Sequence, residues 1–204
     1  LKWADEDNQL DIINAIQEDQ SAALGRALDY VVYHAINPKA GTAMDGYTSL
    51  VSGANAVTAT DDYVADIDSM ADAIIDYNIN GIAMSRQFAS DLRKLRVPAT
   101  GLRLFPEIPL SLAAGNFDGI PASVSGTVNG RLAKTATKVL AIMGDFSLIK
   151  WGFVRDIWSE IIEYGDPDGT GVDLKNVNQL AYRTEGVYSY AVLDPEGFSV
   201  LKSA

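Results

Sequence analysis

The chain has 204 residues, no cysteine, one histidine, and 27 acidic against 16 basic side chains, a formal net charge of −11 at pH 7. Without cysteine there is no disulfide scaffold, thiolate metal site or thiol nucleophile, and His34 alone cannot form an imidazole cluster. The acidic excess argues against binding nucleic acid or an anionic membrane as the main task, and no apolar run reaches the roughly 18 residues needed to span a bilayer.

The opening Leu1-Lys2-Trp3-Ala4-Asp5-Glu6-Asp7 is too acidic for a signal peptide, and a start at Leu rather than Met is read as a processed or truncated piece. From about Asp5 to Ile36, the stripe Ile13, Ile16, Gln20, Leu24, Ala27, Val31 and Ala35 predicts one long helix with acidic residues in its first turn. Asn37-Pro38 closes it. Lys39–Thr60 lacks periodicity and reads as a loop or short meander.

Asp61 or Asp62 is expected to cap a second helix carrying Val64, Ile67, Ala71, Ile74 and Asn78, ended by Asn80-Gly81. Ile82–Met84 predicts a short buried strand. Ser85 caps a third helix with Phe88, Leu92 and Leu95 on one face and Arg93, Lys94 and Arg96 near its C-terminus; Pro98 stops it. Strands are then predicted over Leu102–Leu110, Ile120–Val128 and Lys138–Met143. Ser147–Tyr164 reads as an aromatic strand running into the turn Gly165–Gly169. Leu180–Leu193 and Phe198–Leu201 close the series.

Three features carry candidate chemistry. Asp166 and Asp168, with Gly171, match the first, third and sixth positions of a calcium loop, but Val177 stands where a bidentate Glu is required, so a solvated turn is the reading kept and calcium the rival. His34 suits helix-end capping or packing. Trp151, Phe153 and Trp158, with Phe146 and Ile157, form a core or subunit-interface set in preference to a ligand-binding surface. Glycine-rich stretches fit neither a dinucleotide fingerprint nor a phosphate loop, and no spacing singles out a Ser/Lys or paired-carboxylate site. No catalytic residue, cofactor or enzyme activity is assigned.

Phe117-Asp118-Gly119-Ile120-Pro121-Ala122-Ser123-Val124-Ser125, then Met143-Gly144-Asp145-Phe146-Ser147, then Tyr182-Arg183-Thr184-Glu185 through Asp194-Pro195-Glu196-Gly197-Phe198 follow one another in a telling order. That ordered set resembles the C-terminal part of tailed-phage (Caudovirales) major capsid proteins of the Hong Kong 97-type fold. The resemblance implies an α+β fold: a long spine helix, an axial domain with a central mixed sheet flanked by helices, and a peripheral domain with long antiparallel strands. Residues 1–44 would be the peripheral domain's spine helix, 45–170 the axial domain, and 171–204 the return to the peripheral domain, with the last strands beneath the spine helix. Nothing here corresponds to the family's N-terminal arm and extended loop, which precede the spine helix.

A prototype of the family joins subunits by a lysine–asparagine isopeptide bond assisted by a glutamate. Aligned on Pro195, the corresponding positions are Asn178 and Glu185, with Asn176 reached by a two-residue slip; both are read as structural by default. The implied function is that of a coat subunit self-assembling through hexamers and pentamers into an icosahedral capsid around double-stranded DNA, without sequence-specific binding and without membrane contact. Scaffold, portal and maturation protease are the further partners. Assembly is expected in the bacterial host cytoplasm, and the virion capsid is the destination. The alternatives are an encapsulin-like nanocompartment shell and, from another class, a calcium-dependent binding module.

Overall fold

The computed structural model describes residues 12–203. Its first helix, α1 (Ile12–His34), has 23 residues, about 35 Å at 1.5 Å per residue. The stretch Asp5–Asp11 of the predicted helix, including its acidic turn, lies outside the described residues. Toward its C-terminus the helix is buried on several sides, through Tyr30, Val31, Val32 and His34. It stops at His34, two residues before the expected Ile36, because Ala35 takes a left-handed φ of 51°.

The chain divides into two compact units. The larger comprises Ala27–Lys150 and the segment from Tyr190 onward. Its frame is a six-stranded mixed sheet in the order β1-β8-β5-β2-β4-β3. The strands are β1 (Asn55–Thr58), β2 (Gly81–Met84), β3 (Asn116–Phe117), β4 (Ile120–Val124), β5 (Val139–Gly144) and β8 (Phe198–Lys202). β2 and β5 are almost wholly apolar and lie in the middle, as strands covered on both faces must. Alternation then sorts their side chains. Ile82, Met84, Ala141, Met143 and Leu201 enter one core with Met70, Ile74, Phe88, Leu92 and Ile108; Ala83, Ile142, Phe198 and Val200 enter the other with Leu50 and Val128. Val139 has the parity of Ala141 yet joins the second core, because the β5–β8 register shifts between the two.

Two helices cover the first face. α3 (Tyr63–Asp72) is capped by Asp62, whose carboxylate accepts from Val64 N and Ala65 N, and packs on β8, β1 and β5. α4 (Arg86–Lys94) is capped by Ser85, as the sequence implied, and packs on β5. The second predicted helix is shorter than expected: after Asp72 the chain continues in turns, with Ile74 N bonded to Ala71 O and Tyr77 N to Ile74 O.

Three expectations are corrected. Leu102–Leu110 is not a strand, since Pro106 and Pro109 lack the N–H a ladder needs; only Arg103 pairs there, opposite Arg96. β4 ends at Val124 rather than Val128. Lys39–Thr60 is not merely a loop, for it holds the short helix α2 (Leu50–Gly53), capped by Ser49, and strand β1. β8 runs parallel to β1 and antiparallel to β5, inside the sheet.

The smaller unit holds α1 as far as Arg26 and Trp151–Ser189. Most of a two-stranded ribbon lies in it, formed by β6 (Ile149–Ile162) and β7 (Ala181–Val192), both close to the predicted spans. Ile157 meets Gly186, Ser159 bonds Thr184 at 2.9 Å, and Arg183 pairs with Glu160 at 3.6 Å, the descending order of an antiparallel pair. Thr184 Oγ1 also donates to Gln20 Oε1 at 2.7 Å, tying the ribbon to α1 within this unit.

Candidate functional site

Of the motifs that carried the family resemblance, Tyr182-Arg183-Thr184-Glu185 lies within β7 and the others are structural junctions. Phe117-Asp118-Gly119-Ile120 is the β3–β4 hairpin, with Asp118 at φ 46° and Gly119 at φ 82° as its two turn residues. Gly144-Asp145-Phe146 and Asp194-Pro195-Glu196-Gly197 are two aspartate-capped 3₁₀ turns, about fifty residues apart in sequence, that meet in space. Asp145 N donates to Gly197 O at 3.1 Å, and Phe146 packs edge-on against Phe198 with ring centroids 5.5 Å apart. A Cβ on Gly144 would strike Gly197 O and the Phe198 ring, so only glycine permits this approach.

Asn80 fastens the junction. Its backbone N donates to Gly144 O at 3.2 Å, its Nδ2 to Asp145 Oδ1 at 2.5 Å, and its Oδ1 accepts from Phe146 N at 2.8 Å. Hydrogen bonds from Ser147 and then Asn80 hold the Asp145 carboxyl below the usual range. Tyr77 completes the arrangement by donating to Asp194 Oδ2 at 2.8 Å. Asn80 was read only as a helix stop; its role was not legible because its side-chain partners lie 65 and 66 residues away.

His34 is buried, with Nε2 3.0 Å from Val128 O and 3.3 Å from Thr127 O. Both partners are carbonyls, so Nε2 carries the proton and donates. Burial pushes its pKa below the usual value, which the two carbonyl contacts partly oppose. Tyr30, whose ring centroid is 4.8 Å from that of His34, donates through its hydroxyl to Thr135 O at 2.8 Å. The pair fastens the end of α1 to the 125–137 loop, the packing role expected of a lone histidine. Burial and the nearby Asp29 charge raise the Tyr33 hydroxyl pKa well above its ordinary value.

Asp166 spends its carboxylate on the turn. Oδ2 accepts from Gly171 N at 2.6 Å and Oδ1 from Thr170 N at 3.0 Å, and these bonds hold its pKa down. Asp168 Oδ1 accepts from Thr170 Oγ1 at 3.0 Å. Asn178 is exposed in the following turn at φ 52°, lining a shallow cavity of about 150 Å³ with Lys175, Glu163 and Tyr164. Glu185 sits on β7, ion-paired with Arg183. No contact joins Asn178 to Glu185 among the described interactions.

Two further cavities, of about 470 and 340 Å³, lie in the larger unit. The first is lined by Thr60, Tyr63, Gln87 and Asp91, the second by Tyr33, Gly81, Pro121 and Phe146. Among the described residues no three His, Cys, Asp or Glu side chains converge as a metal site, and no helix is long and apolar enough to cross a membrane. The aromatic set divides: Phe146 is in the core, while Trp151 is 62% exposed and Phe153 38% exposed on the ribbon.

The model of a family described as phage capsid protein matches residues 2–201. The chain belongs to that family. A solved structure from Mycobacterium phage Ogopogo is 35% identical, covers 100% of this chain and 71% of its own, and superposes with a TM-score of 0.85. One from Gordonia phage Cozz is 31% identical, covers 98% of this chain and 66% of its own, with a TM-score of 0.83. The capsid of an empty GTA particle, computed with C5 symmetry, shares the fold at 14% identity, covering 95% of this chain and 67% of its own, with a TM-score of 0.62. This phage capsid protein thus spans about two thirds to seven tenths of the chains it resembles. No curated protein matches it. Its role is that of a structural coat subunit.

Proposed function

We propose that this coat subunit self-assembles into the icosahedral capsid of a tailed phage or prophage and that its fold is of the Hong Kong 97 type. The family match over residues 2–201 carries this reading. In it, α1 is the spine helix, the unit built on the six-stranded sheet is the axial domain, and the unit holding the long ribbon is the peripheral domain. The partners are further copies of the chain in rings of five and six, closed by heterologous contacts. Scaffold, portal and maturation protease act during assembly in the host cytoplasm. The mechanism is geometric, with no catalytic step. A net charge of −11 suits a container that encloses double-stranded DNA without gripping it.

Negative-stain electron microscopy of the protein expressed from its complete reading frame, beside these 204 residues alone, tests it. Closed shells or five- and six-membered rings from the complete product are expected. Uniform monomers from the complete product, with its scaffold supplied, would overturn it.

A further inference from the structure

We infer that neighbouring copies join through two complementary flanks of the larger unit, an acidic one along α3 and a basic one at the hairpin after α4. The inference rests on the coat-subunit reading and names the surfaces that reading leaves open. Its starting point is a segregation of charge in the sequence. Between Lys39 and Arg86 there is no basic residue, while residues 61–76 hold six aspartates; Arg86–Glu107 then hold five basic residues against two acidic.

The fold carries the acidic segment to the β1 edge of the sheet and the chain beyond α4 to the β3 edge, while α4 itself lies between them on β5, with Phe88 5.4 Å from Tyr63 of α3. α3 packs on β8 and β1, at the β1 edge. Asp61, Asp62, Asp68, Asp72 and Asp76 are exposed there, and Asp66 alone turns inward, accepting from Thr60 N and Oγ1. The chain after α4 reaches the other edge, where Phe105 packs on Phe117 of β3 at 5.1 Å.

At that edge Arg96 and Arg103 occupy directly opposed positions of an antiparallel bridge. Like charges facing each other across strands repel, and neither enters an ion pair among the described residues. Among the described residues Arg96 donates to the carbonyls of Arg93 and Leu95. An arginine pair so placed is stabilised by carboxylates brought from outside. Each flank also offers an exposed apolar residue among its charges, Ile75 at 74% and Leu102 at 67%, so the contact has a desolvated centre as well as a charged rim. One chain that carries both complements on opposite edges makes a head-to-tail contact, the kind that closes rings.

The test uses charge reversal in the complete reading frame. Asp68→Lys, Asp72→Lys and Asp76→Lys together leave two exposed aspartates against three lysines on the first flank and give a subunit with two basic flanks; Arg96→Glu with Arg103→Glu gives one with two acidic flanks. Far-UV circular dichroism and thermal unfolding establish that each is folded, and Arg96→Gln with Arg103→Gln replaces the latter if it is not. Each folded variant alone is expected to lose assembly at least tenfold by sedimentation. Their equimolar mixture is expected to regain rings, and only even-membered ones, since the two must alternate. Reversed variants that close shells as the unsubstituted protein does, or folded variants whose mixture forms no rings, would overturn the inference. So would intact shells that merely lose DNA, which would assign the basic flank to nucleic acid. Failure of the unsubstituted protein to assemble would overturn the coat-subunit reading instead.

Discussion

At the residue scale, the junction around Asn80 shows how one polar side chain unites segments far apart in the chain. It serves Gly144, Asp145 and Phe146 at once. Asn80→Ala leaves the Phe146 N–H without its acceptor and Asp145 with Ser147 but without the Asn80 donor. The expected cost is about 2–3 kcal/mol, read from the urea midpoint at unchanged slope. His34 makes a second case. Its folded-state pKa lies below the usual value of 6.5, so below about that pH the unfolded chain binds more protons than the folded one. Stability therefore falls as pH drops below about 6.5. Asp29, whose pKa is raised by burial, acts with the opposite sign, in the acid range above 3.8. His34→Gln, which keeps a donor for Val128 O, should remove the slope near pH 6 in a series of thermal unfolding curves.

At the element scale, two hairpins repeat one device. α1 is followed by Asn37-Pro38-Lys39-Ala40-Gly41-Thr42 and α4 by Val97-Pro98-Ala99-Thr100-Gly101-Leu102. In both, the glycine N–H bonds the carbonyl four residues back, at 2.8 Å, and the residue before Pro donates to the one after Gly, at 2.9 Å. Both glycines have positive φ, 74° and 69°. Gly101 has open space around it, so Gly101→Ala should cost only the backbone strain, about 1 kcal/mol. Gly41→Ala should cost more, because a Cβ there would sit 2.8 Å from Thr135 Oγ1. Denaturant unfolding of the two variants measures the difference.

Much of this level was legible in the sequence. The Asp62 and Ser85 caps, the apolar runs of β2 and β5, and the long β6 and β7 each follow from local pattern. The hairpins were not read, although Pro-x-x-Gly after a helix end is a local signal that identifies them. β1 was hidden because its four residues, Asn-Ala-Val-Thr, do not alternate between apolar and polar types although their burial alternates. The place of β8 depends on its pairing with β1 and β5, segments roughly 60 to 140 residues away in the chain. The Asp166 turn is complete through its own hydrogen bonds, so calcium at millimolar concentration should leave the melting temperature unchanged, and Asp166→Ala should lower it with or without the ion.

At the scale of the whole molecule, the sequence pointed to surfaces by elimination: one histidine, no cysteine, no phosphate loop. The family resemblance then supplied what elimination could not, through motifs that, apart from a stretch of β7, prove to be folding junctions rather than reactive groups. The candidate surfaces themselves were hidden in the sequence, because the acidic helix and the basic hairpin acquire meaning only when the sheet puts them on opposite edges. A contact of this kind is partly screened by salt, with a Debye length of about 10 Å at 0.1 M and about 3 Å at 1 M. Assembly of the complete product should therefore weaken as ionic strength rises, as followed by light scattering.

The most direct measurement is a cryo-electron microscopy reconstruction of whatever the complete reading frame assembles. Five- and six-membered rings are expected, with the six-stranded sheet of each copy recognisable and α3 of one copy facing the 95–104 hairpin of the next. An assembly without such rings, or the absence of any closed particle, would contradict the reading of this chain as a self-assembling shell subunit.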